Sequence, residues 1–365
     1  MSKSLNNVIA PQTINDKYGA DILRLWVVSS NYFADLRIGP DILKHHSDLY
    51  RRLRNTLRYL LGALDGYTET ERIENSDEMP ELERWILHRL VMLDQVVRQG
   101  IKDNNFHRIC ITLHNFCTID LSGFYFDVRK DSLYCDVRDS LCRRSVRTVM
   151  QYLFSCLTAW LAPFLCFTAE EAWQHGPADS DPLDGRESKA NTINSVHLRL
   201  FPELPPSWRN DRLVERWQYI RALRTMITKA LENVRQDKDL GSSLDAAPII
   251  YVTPEAKKVL QSLDLDLNTI ALQELMLTSA ITIVERDQLP HDDPTIVTSS
   301  DDLGNVDMMV GIGVKYTPAL GKKCQRCWKV LSEVGIKNEF PTLCQRCINA
   351  ITIMMTGNQE QEHCR

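Results

Sequence analysis

The sequence predicts a mainly α-helical protein in which a helical bundle is followed by a small α/β unit and a C-terminal module of paired cysteines. Apolar residues recur every three or four positions through most of residues 39–176, which is the spacing of helices that bury one face. Strand-like alternation is concentrated after residue 246, and two C-x-x-C pairs lie near the end of the chain. These three observations define the bundle, the α/β unit and the module.

The bundle begins at Gly39-Pro40, where proline suits the first turn of a helix that we expect to extend through Leu64. Thr168-Ala-Glu-Glu171 has the reciprocal capping pattern that starts a new helix. Pro163 ends or kinks the helix before it. Because helix follows helix with short connections, the sequence predicts a bundle. Besides the helix from Gly39, the helices predicted before Pro163 cover residues 21–30, 80–101, 106–121 and 140–161.

Beyond the bundle the pattern changes. Residues 176–194 are rich in Asp, Ser, Pro and Gly and predict a surface loop, and Val196–Leu200 alternates like a short strand. Strands are then predicted at 248–253, 281–285 and 308–316, and helices at 212–236, 254–263 and 267–277. The predicted domains are residues 1–38, 39–176, 177–245, 246–320 and 321–355, followed by a tail at 356–365.

Composition excludes some classes of function. The 365-residue chain has a formal net charge of −5, so contact with a polyanion requires a local basic patch and cannot come from bulk charge. The apolar runs are too short to span a bilayer, and residues 1–30 lack the pattern of a secretory signal. We therefore expect a cytoplasmic protein with no membrane partner.

The cysteine module predicts one structural zinc ion. Cys324-Gln-Arg-Cys327 and Cys344-Gln-Arg-Cys347 are two tight turns separated by sixteen residues, and each turn places two sulfurs on one side. Four thiolates supply the tetrahedral set that Zn²⁺ prefers and leave no open position for chemistry. The alternative is that the two C-x-x-C pairs are redox sites. A redox site, however, is expected as one C-x-x-C motif that opens a helix in a βαβ unit, and not as two matched motifs. The other cysteines in helical patterns are read as reduced thiols.

Trp328 follows the first cysteine pair and is surrounded in the sequence by basic residues. An aromatic ring among positive charges on a rigid knob suits a nucleic-acid backbone or a stacked base. The alternative is that Trp328 covers the metal core and that the charges are merely solvated. The basic residues of the module are Lys322, Lys323, Arg326, Lys329 and Arg346.

The first residues, Met1-Ser-Lys-Ser-Leu-Asn-Asn7, form a pattern that can hold phosphate, with Lys3 between Ser2 and Ser4. Together with Tyr18-Gly-Ala-Asp-Ile-Leu-Arg-Leu-Trp26, this stretch resembles the Lys-Met-Ser-Lys-Ser signature region of class I aminoacyl-tRNA synthetases, without its leading lysine. Leu121-Ser-Gly-Phe-Tyr-Phe-Asp127 and Phe167-Thr-Ala-Glu-Glu-Ala-Trp173 are similar to the anticodon-binding helical bundle of that class. Within the class, the terminal cysteine module is similar to that of the isoleucine-specific members.

The resemblance implies an ATP-dependent ligase that attaches isoleucine to its tRNA through an aminoacyl-adenylate. Lys3 matches the second signature lysine, which in the family contacts ATP, with Ser2 and Ser4 completing the catalytic loop. The chain contains no His-Ile-Gly-His-type motif, nucleotide fold or editing domain, so the resemblance implies the C-terminal part of a monomeric enzyme. ATP with Mg²⁺, and isoleucine, are expected to bind only together with the missing part, and the chain alone is expected to be inactive in amino-acid activation.

Two arginine clusters are candidates for tRNA contact, with Trp328 as a further candidate. One cluster lies on the first long helix and the other on the helix from residue 140, and the alternative for each is a solvated helix face. The alternative function is a stand-alone tRNA-binding or interaction module without a catalytic role. The candidate arginines are Arg51, Arg52, Arg54 and Arg58, and Arg143, Arg144 and Arg147.

Overall fold

A computed structural model describes residue 4 and residues 8–31, 35–177, 183, 195–236, 240–268, 271–290, 293–298 and 309–362. The chain divides into two compact units, the first formed by residues 1–129 and 138–209 and the second by residues 130–137 and 210–365. The first unit is helical and the second combines helices, a four-stranded sheet and the cysteine module. The predicted fold class is therefore confirmed. No helix in the described part of the chain is both long and apolar enough to cross a bilayer.

The helices of the first unit follow one another with short connections, as the sequence predicts. Pro40 opens α3 at its first position, and Ser140 caps α7 by accepting from the backbone N–H of Arg143 at 3.2 Å. Every residue of α7 from Ser145 to Leu161 is buried, so this helix is the centre of the unit. The helices are α1 (Pro11–Tyr18), α2 (Ala20–Ser29), α3 (Pro40–Ala63), α4 (Glu81–Lys102), α5 (Phe106–Asn115), α6 (Phe126–Cys135), α7 (Leu141–Leu161) and α8 (Cys166–Gln174), and the part of α6 from residue 130 belongs to the second unit.

The helix predicted at 106–121 extends farther in the structure. After α5 the chain continues as a π-helical segment, Phe116–Tyr125, and passes directly into α6. A π-helix joins residues five positions apart, so the apolar side chains of this segment lose the spacing of an α-helix. The predicted helix therefore ends at residue 121, where the α-helical spacing is lost, although the helical backbone extends to Cys135.

The predicted helix start at Thr168 is wrong, because α8 begins at Cys166. Thr168 lies inside the first turn, where its backbone N–H and Oγ1 both donate to Oδ2 of Asp21, at 2.9 and 2.8 Å. The buried Asp21 carboxylate of α2 thus caps α8 from another part of the chain. A local capping box is not needed, since the donors of the first turn already have this acceptor.

A buried ion pair connects α4 with α6. The guanidinium of Arg129 donates to both carboxylate oxygens of Glu83, from Nε at 2.7 Å and from an Nη atom at 2.6 Å. The side chain of Glu83 is 0% exposed and that of Arg129 is 6% exposed. Both charges are therefore removed from water, and each depends on the other for compensation.

His46 joins α3 to the end of α2. Its Nδ1 lies 2.8 Å from the carbonyl oxygen of Ile42, and its Nε2 lies 2.9 Å from Oγ of Ser29. Burial lowers the pKa of His46, and this effect exceeds the opposite effect of the bond to Ile42. Burial also lowers the pKa of His114.

Stability of the first unit should therefore fall as the pH falls below about 6.5, the ordinary pKa of histidine. A histidine whose folded pKa is lowered binds its proton more readily in the unfolded chain, so its contribution is complete above the unfolded pKa and is lost on acidification. We expect a lower urea midpoint at pH 5.5 than at pH 7.5, and a smaller difference in His46→Gln. The exposed His175→Gln serves as the control. An identical pH dependence in His46→Gln and the wild type would contradict this prediction.

The second unit contains a mixed sheet with strand order β2-β1-β4-β3. β1 pairs with β2 in parallel and with β4 antiparallel, and β3 pairs antiparallel with β4. The three predicted strands contain β1, β2 and β4, whereas the three-residue β3 is too short for an alternating pattern to reveal it. The elements are α9 (Arg212–Gln236), β1 (Ile249–Val252), α10 (Pro254–Ser262), α11 (Leu272–Leu275), β2 (Thr282–Glu285), β3 (Ile296–Thr298), β4 (Ile312–Lys315), β5 (Lys322–Lys323), β6 (Val330–Leu331) and α12 (Gln345–Glu362).

The predicted strand at Val196–Leu200 is wrong. Residues Val196–Leu198 form a 3-10 turn in the first unit. The carboxylate of Glu170 accepts from the backbone N–H of Val196 at 2.8 Å and from Oγ of Ser195 at 2.9 Å. Because a side chain satisfies the backbone donor here, the alternation of residues does not require a partner strand.

Candidate metal centre and nucleic-acid surface

The structure brings the four cysteines of the C-terminal module together. The sulfurs of Cys324, Cys327, Cys344 and Cys347 all lie within 4.8 Å of one another, and those of Cys327 and Cys344 are 3.7 Å apart. All four residues are buried. A tetrahedral zinc ion with Zn–S bonds of about 2.3 Å separates its sulfurs by about 3.8 Å. The donor set and its spacing therefore fit zinc, and none of the four positions remains open for a substrate.

The local backbone explains why these residues converge. The short strands β5 and β6 pair antiparallel on either side of the first cysteine turn. Within this turn the backbone N–H of Cys324 donates to the carbonyl of Lys329, and that of Trp328 donates to the carbonyl of Cys324, both at 2.9 Å. Gly321 has φ +126° and a side chain there would lie 2.3 Å from the carbonyl carbon of Leu331, so only glycine fits. The second turn enters α12, in which Ile348 bonds back to Cys344.

Backbone donors make the thiol of Cys324 different from the other three. Burial raises the pKa of Cys324, but the backbone N–H groups of Cys327, Cys344 and Arg326 outweigh burial and lower this pKa to about 7. Burial raises the pKa of Cys344. The pKa of Cys347 rises to about 12, first through the thiol of Cys135. Such N–H to sulfur bonds are the usual support of a metal-bound thiolate.

The basic residues of this module differ in their surroundings. Trp328 is 62% exposed in a left-handed backbone conformation, with φ 66°, so its ring does not cover the metal site. Arg326, Lys329 and Arg346 contact residues 130–137, which belong to the same unit. Lys322 and Lys323 are exposed, and Lys323 lies 3.1 Å from a carboxylate oxygen of Asp245.

The arginines of α3 form an exposed surface in the first unit. All four are exposed, and Arg51 and Arg54 approach the carboxylates of Asp48 and Glu171 at 2.9 and 3.4 Å. These two arginines also line an open groove of about 450 Å³. The lining residues of this groove are Ile22, Ser47, Tyr50, Arg51, Arg54, Asn55 and Glu171. We call Arg51, Arg52, Arg54 and Arg58 the α3 arginine face.

The arginines of α7 are placed differently from the α3 arginine face. Arg147 is buried, and its guanidinium donates to both carboxylate oxygens of Glu71, at 2.9 and 3.0 Å, and to the carbonyl of Asp65 at 2.8 Å. Arg144 donates to the carbonyl of Glu71 at 3.2 Å, and Arg143 lies 4.0 Å from its carboxylate. Arg144 and Arg147 therefore hold the turn between α3 and α4, and the side chain of Arg147 is only 5% exposed.

Of the predicted signature loop, Ser4 is exposed, whereas Ser2 and Lys3 lie outside the described residues. Asp131, which no sequence pattern indicates, contacts the module from a distant part of the chain. The sequence does single out its partner, Arg346, because both cysteine turns read C-Q-R-C and carry arginine at the same position. Nothing in the sequence near Asp131 itself indicates this contact.

Three families match separate segments of the chain. Residues 83–251 match the anticodon-binding domain of tRNA ligase. Residues 1–39 match the class I tRNA synthetases of the I, L, M and V group. Residues 321–350, which contain the four cysteines, match the zinc finger found in FPG and IleRS.

Curated relatives match nearly the whole chain. An isoleucine–tRNA ligase from Ruegeria pomeroyi is 45% identical over 352 residues, which cover 96% of this chain and 33% of the relative. The corresponding protein of Gluconobacter oxydans is 44% identical over 96% of this chain and 32% of the relative. That of Caulobacter vibrioides is 40% identical over 98% of this chain and 34% of the relative. The chain thus spans about a third of the length of the curated relatives that it matches.

Proposed function

We propose that this chain supplies the tRNA-binding and zinc-binding part of an isoleucine–tRNA ligase. The premise is its homology to isoleucine–tRNA ligases over nearly its whole length. The observation that carries the proposal is the α3 arginine face, an exposed concentration of positive charge on a chain whose net charge is −5. Phosphate groups are the ligands that such a face attracts. The match of residues 83–251 to an anticodon-binding domain supports tRNA as their source.

The two arginine clusters have different roles in this proposal. We assign phosphate contact to the α3 arginine face, because its side chains reach solvent. We assign a structural role to the α7 arginines, because Arg144 and Arg147 already donate to residues 65–71. Trp328 is assigned a stacking contact with a base, since a rigid turn presents its exposed ring. Zinc would be held by the four cysteines as a structural ion that stabilises this turn.

The proposal extends to amino-acid activation only in a complete ligase. There Lys3 would stabilise the negative charge that grows on the pyrophosphate leaving group of ATP·Mg²⁺, an interaction that is strongest in the transition state. Ser2 and Ser4 would shape the loop that places this lysine. Isoleucine and its tRNA are the proposed substrates, the cytoplasm is the proposed compartment, and the proposed enzyme is monomeric.

The alternative is a stand-alone tRNA-binding module without a catalytic role. The chain's coverage of only a third of its relatives is the observation that keeps this alternative open. The DNA upstream of the codon for Met1 distinguishes the two proposals. An in-frame lysine codon, preceded farther upstream by a His-Ile-Gly-His-like motif, would support the ligase, whereas a stop codon directly upstream would support the module.

Replacing Arg52 and Arg58 together by alanine should weaken tRNA binding. We expect about a tenfold loss of affinity at 0.1 M salt and a decrease of about two in the slope of log K against log[salt], because each lost phosphate contact releases about one counterion fewer. Binding of isoleucine tRNA is measured by filter retention across a salt series, beside a tRNA of another specificity.

The matched control is Lys229→Ala with Arg235→Ala, two exposed basic residues of α9. This control should retain both the affinity and the salt slope. Equal losses in the two double variants would show that net charge, and not the α3 arginine face, determines binding. Salt-insensitive binding by the wild type would contradict the proposal itself.

A further inference from the structure

The two cysteine turns carry arginine at the same position, and both arginines reach the same segment of the second unit. Arg326 lies between Cys324 and Cys327, and Arg346 lies between Cys344 and Cys347. Their partners all belong to residues 130–137, which include the last turn of α6. The two arginines that lie between the metal ligands in the sequence thus both contact residues 130–137.

Arg326 caps the C-terminus of α6. Its guanidinium donates to the carbonyl oxygen of Tyr134 at 3.1 Å and to that of Cys135. The last carbonyl groups of a helix have no partner within the helix, and a cation placed there also interacts favourably with the helix dipole. In return, the thiol of Cys135 donates to the backbone carbonyl of Arg326 at 3.6 Å. The contact is therefore made in both directions.

Arg346 binds the same turn through a carboxylate. Its two terminal nitrogens donate to the two oxygens of Asp131, at 2.7 and 2.6 Å, and it lies 3.5 Å from a carboxylate oxygen of Asp136. Lys329 adds a third positive charge, 3.7 Å from Asp131. The paired geometry fixes direction as well as distance, which a lysine at position 346 could not reproduce.

Arg326 bonds directly to the candidate zinc site, and Arg346 lies between two of its ligands in the sequence. The backbone N–H of Arg326 is one of the donors to the sulfur of Cys324. Cys135 is packed in one buried cluster with the four ligand cysteines and Val334. An ion that fixes the four sulfurs would therefore also fix the positions from which the two guanidinium groups reach residues 130–137.

We propose that Arg326 and Arg346 form a metal-dependent clasp that holds the last turn of α6 against the zinc module. Metal binding orders the two turns, and the ordered turns present both arginines to residues 130–137. Because such coupling is reciprocal in free energy, the clasp also strengthens metal binding, and we expect the tighter binding to slow the release of the metal. This role is independent of whether the chain binds tRNA.

The first test is the rate at which zinc passes from the full-length protein to a chromogenic chelator. Arg346→Ala should accelerate this transfer about tenfold, since groups that support metal ligands commonly change metal affinity 10- to 100-fold. Lys337→Ala, an exposed residue of the same module, should leave the rate unchanged. An unchanged rate in Arg346→Ala would overturn the proposal.

A second variant keeps the test valid if Arg346→Ala does not fold. Asp131→Asn leaves the module intact and preserves side-chain volume, and it should accelerate zinc transfer to a similar extent. The double variant Arg346→Ala with Asp131→Asn should accelerate zinc transfer no more than the larger of the two single variants, because both remove the same contact. An acceleration in the double variant equal to the product of the two single effects would argue against direct pairing.

Hydrogen exchange tests the metal dependence of the clasp. Zinc removal should increase exchange at residues 130–137 at least tenfold, and Arg346→Ala should do so with zinc still bound. Residues 145–161, which are buried in the first unit, should keep their protection in both cases. If residues 130–137 remain protected after zinc removal, the clasp does not depend on the metal and the proposal fails.

Discussion

Replacement of Cys344 by serine is expected to abolish zinc retention and to unfold the C-terminal module. Serine offers a hydroxyl in place of a thiolate, which leaves three soft donors around an ion that requires four in a closed structural site. Structural zinc contributes about 10 kcal/mol or more to the folding of small zinc modules, so little else can hold β5, β6 and the two turns together. Elemental analysis should show zinc falling from about one ion per chain to near zero.

Cys166→Ser is the control for this experiment, because it removes a partly exposed thiol of the first unit. The control should retain zinc. Hydrogen exchange should show loss of protection at residues 321–350 in Cys344→Ser, whereas α7 keeps its protection. A wild-type protein that remains free of zinc after purification in metal-replete medium would contradict the assignment of the four-thiolate site.

Replacement of Glu83 by alanine is expected to destabilise the first unit by about 3–5 kcal/mol, because it leaves the Arg129 guanidinium buried without its counter-charge. The expected effect is far larger than that of an exposed pair. Asp48→Ala, which removes the partner of the exposed Arg51, should cost at most about 1 kcal/mol. Urea unfolding combined with hydrogen exchange in α4 measures both variants.

A double replacement separates the cost of an orphaned charge from the value of the pair. Glu83→Leu with Arg129→Met removes both charges and keeps the volume filled, so its stability should lie within about 2 kcal/mol of the wild type. If the double variant is as unstable as Glu83→Ala, packing and not the unpaired charge explains the loss.

The helices that sequence alone predicted well are the longest ones. The expected bounds of α3, α4, α7 and α9 differ from the observed bounds by no more than one residue. Periodicity succeeds there because each helix has a buried side and an exposed side, or carries clear capping residues. It did not reveal α1, because one buried residue in eight, Ile14, creates no period.

The convergence of the four cysteine sulfurs could be predicted from the sequence, but the roles of the two arginine clusters could not. C-x-x-C spacing constrains the sulfurs locally, so the sequence already contains most of the geometry. The arginines of α3 and α7 have similar spacing, yet one set is exposed and Arg147 is buried against Glu71. That difference depends on the path of residues 65–71, which is a tertiary contact and leaves no mark in the helix sequence itself.

The carboxylate of Asp21 has a consequence for how the first unit folds. Sequence resemblance separates residues 1–38 from the bundle at 39–176, but Asp21 caps α8, and Ser29 is bonded to both His46 and His107. These bonds tie α2 to three helices of the bundle, and both segments lie in one compact unit. The boundary predicted at residue 38 therefore lies within one compact unit, and α2 is expected to unfold together with α7 and not before it.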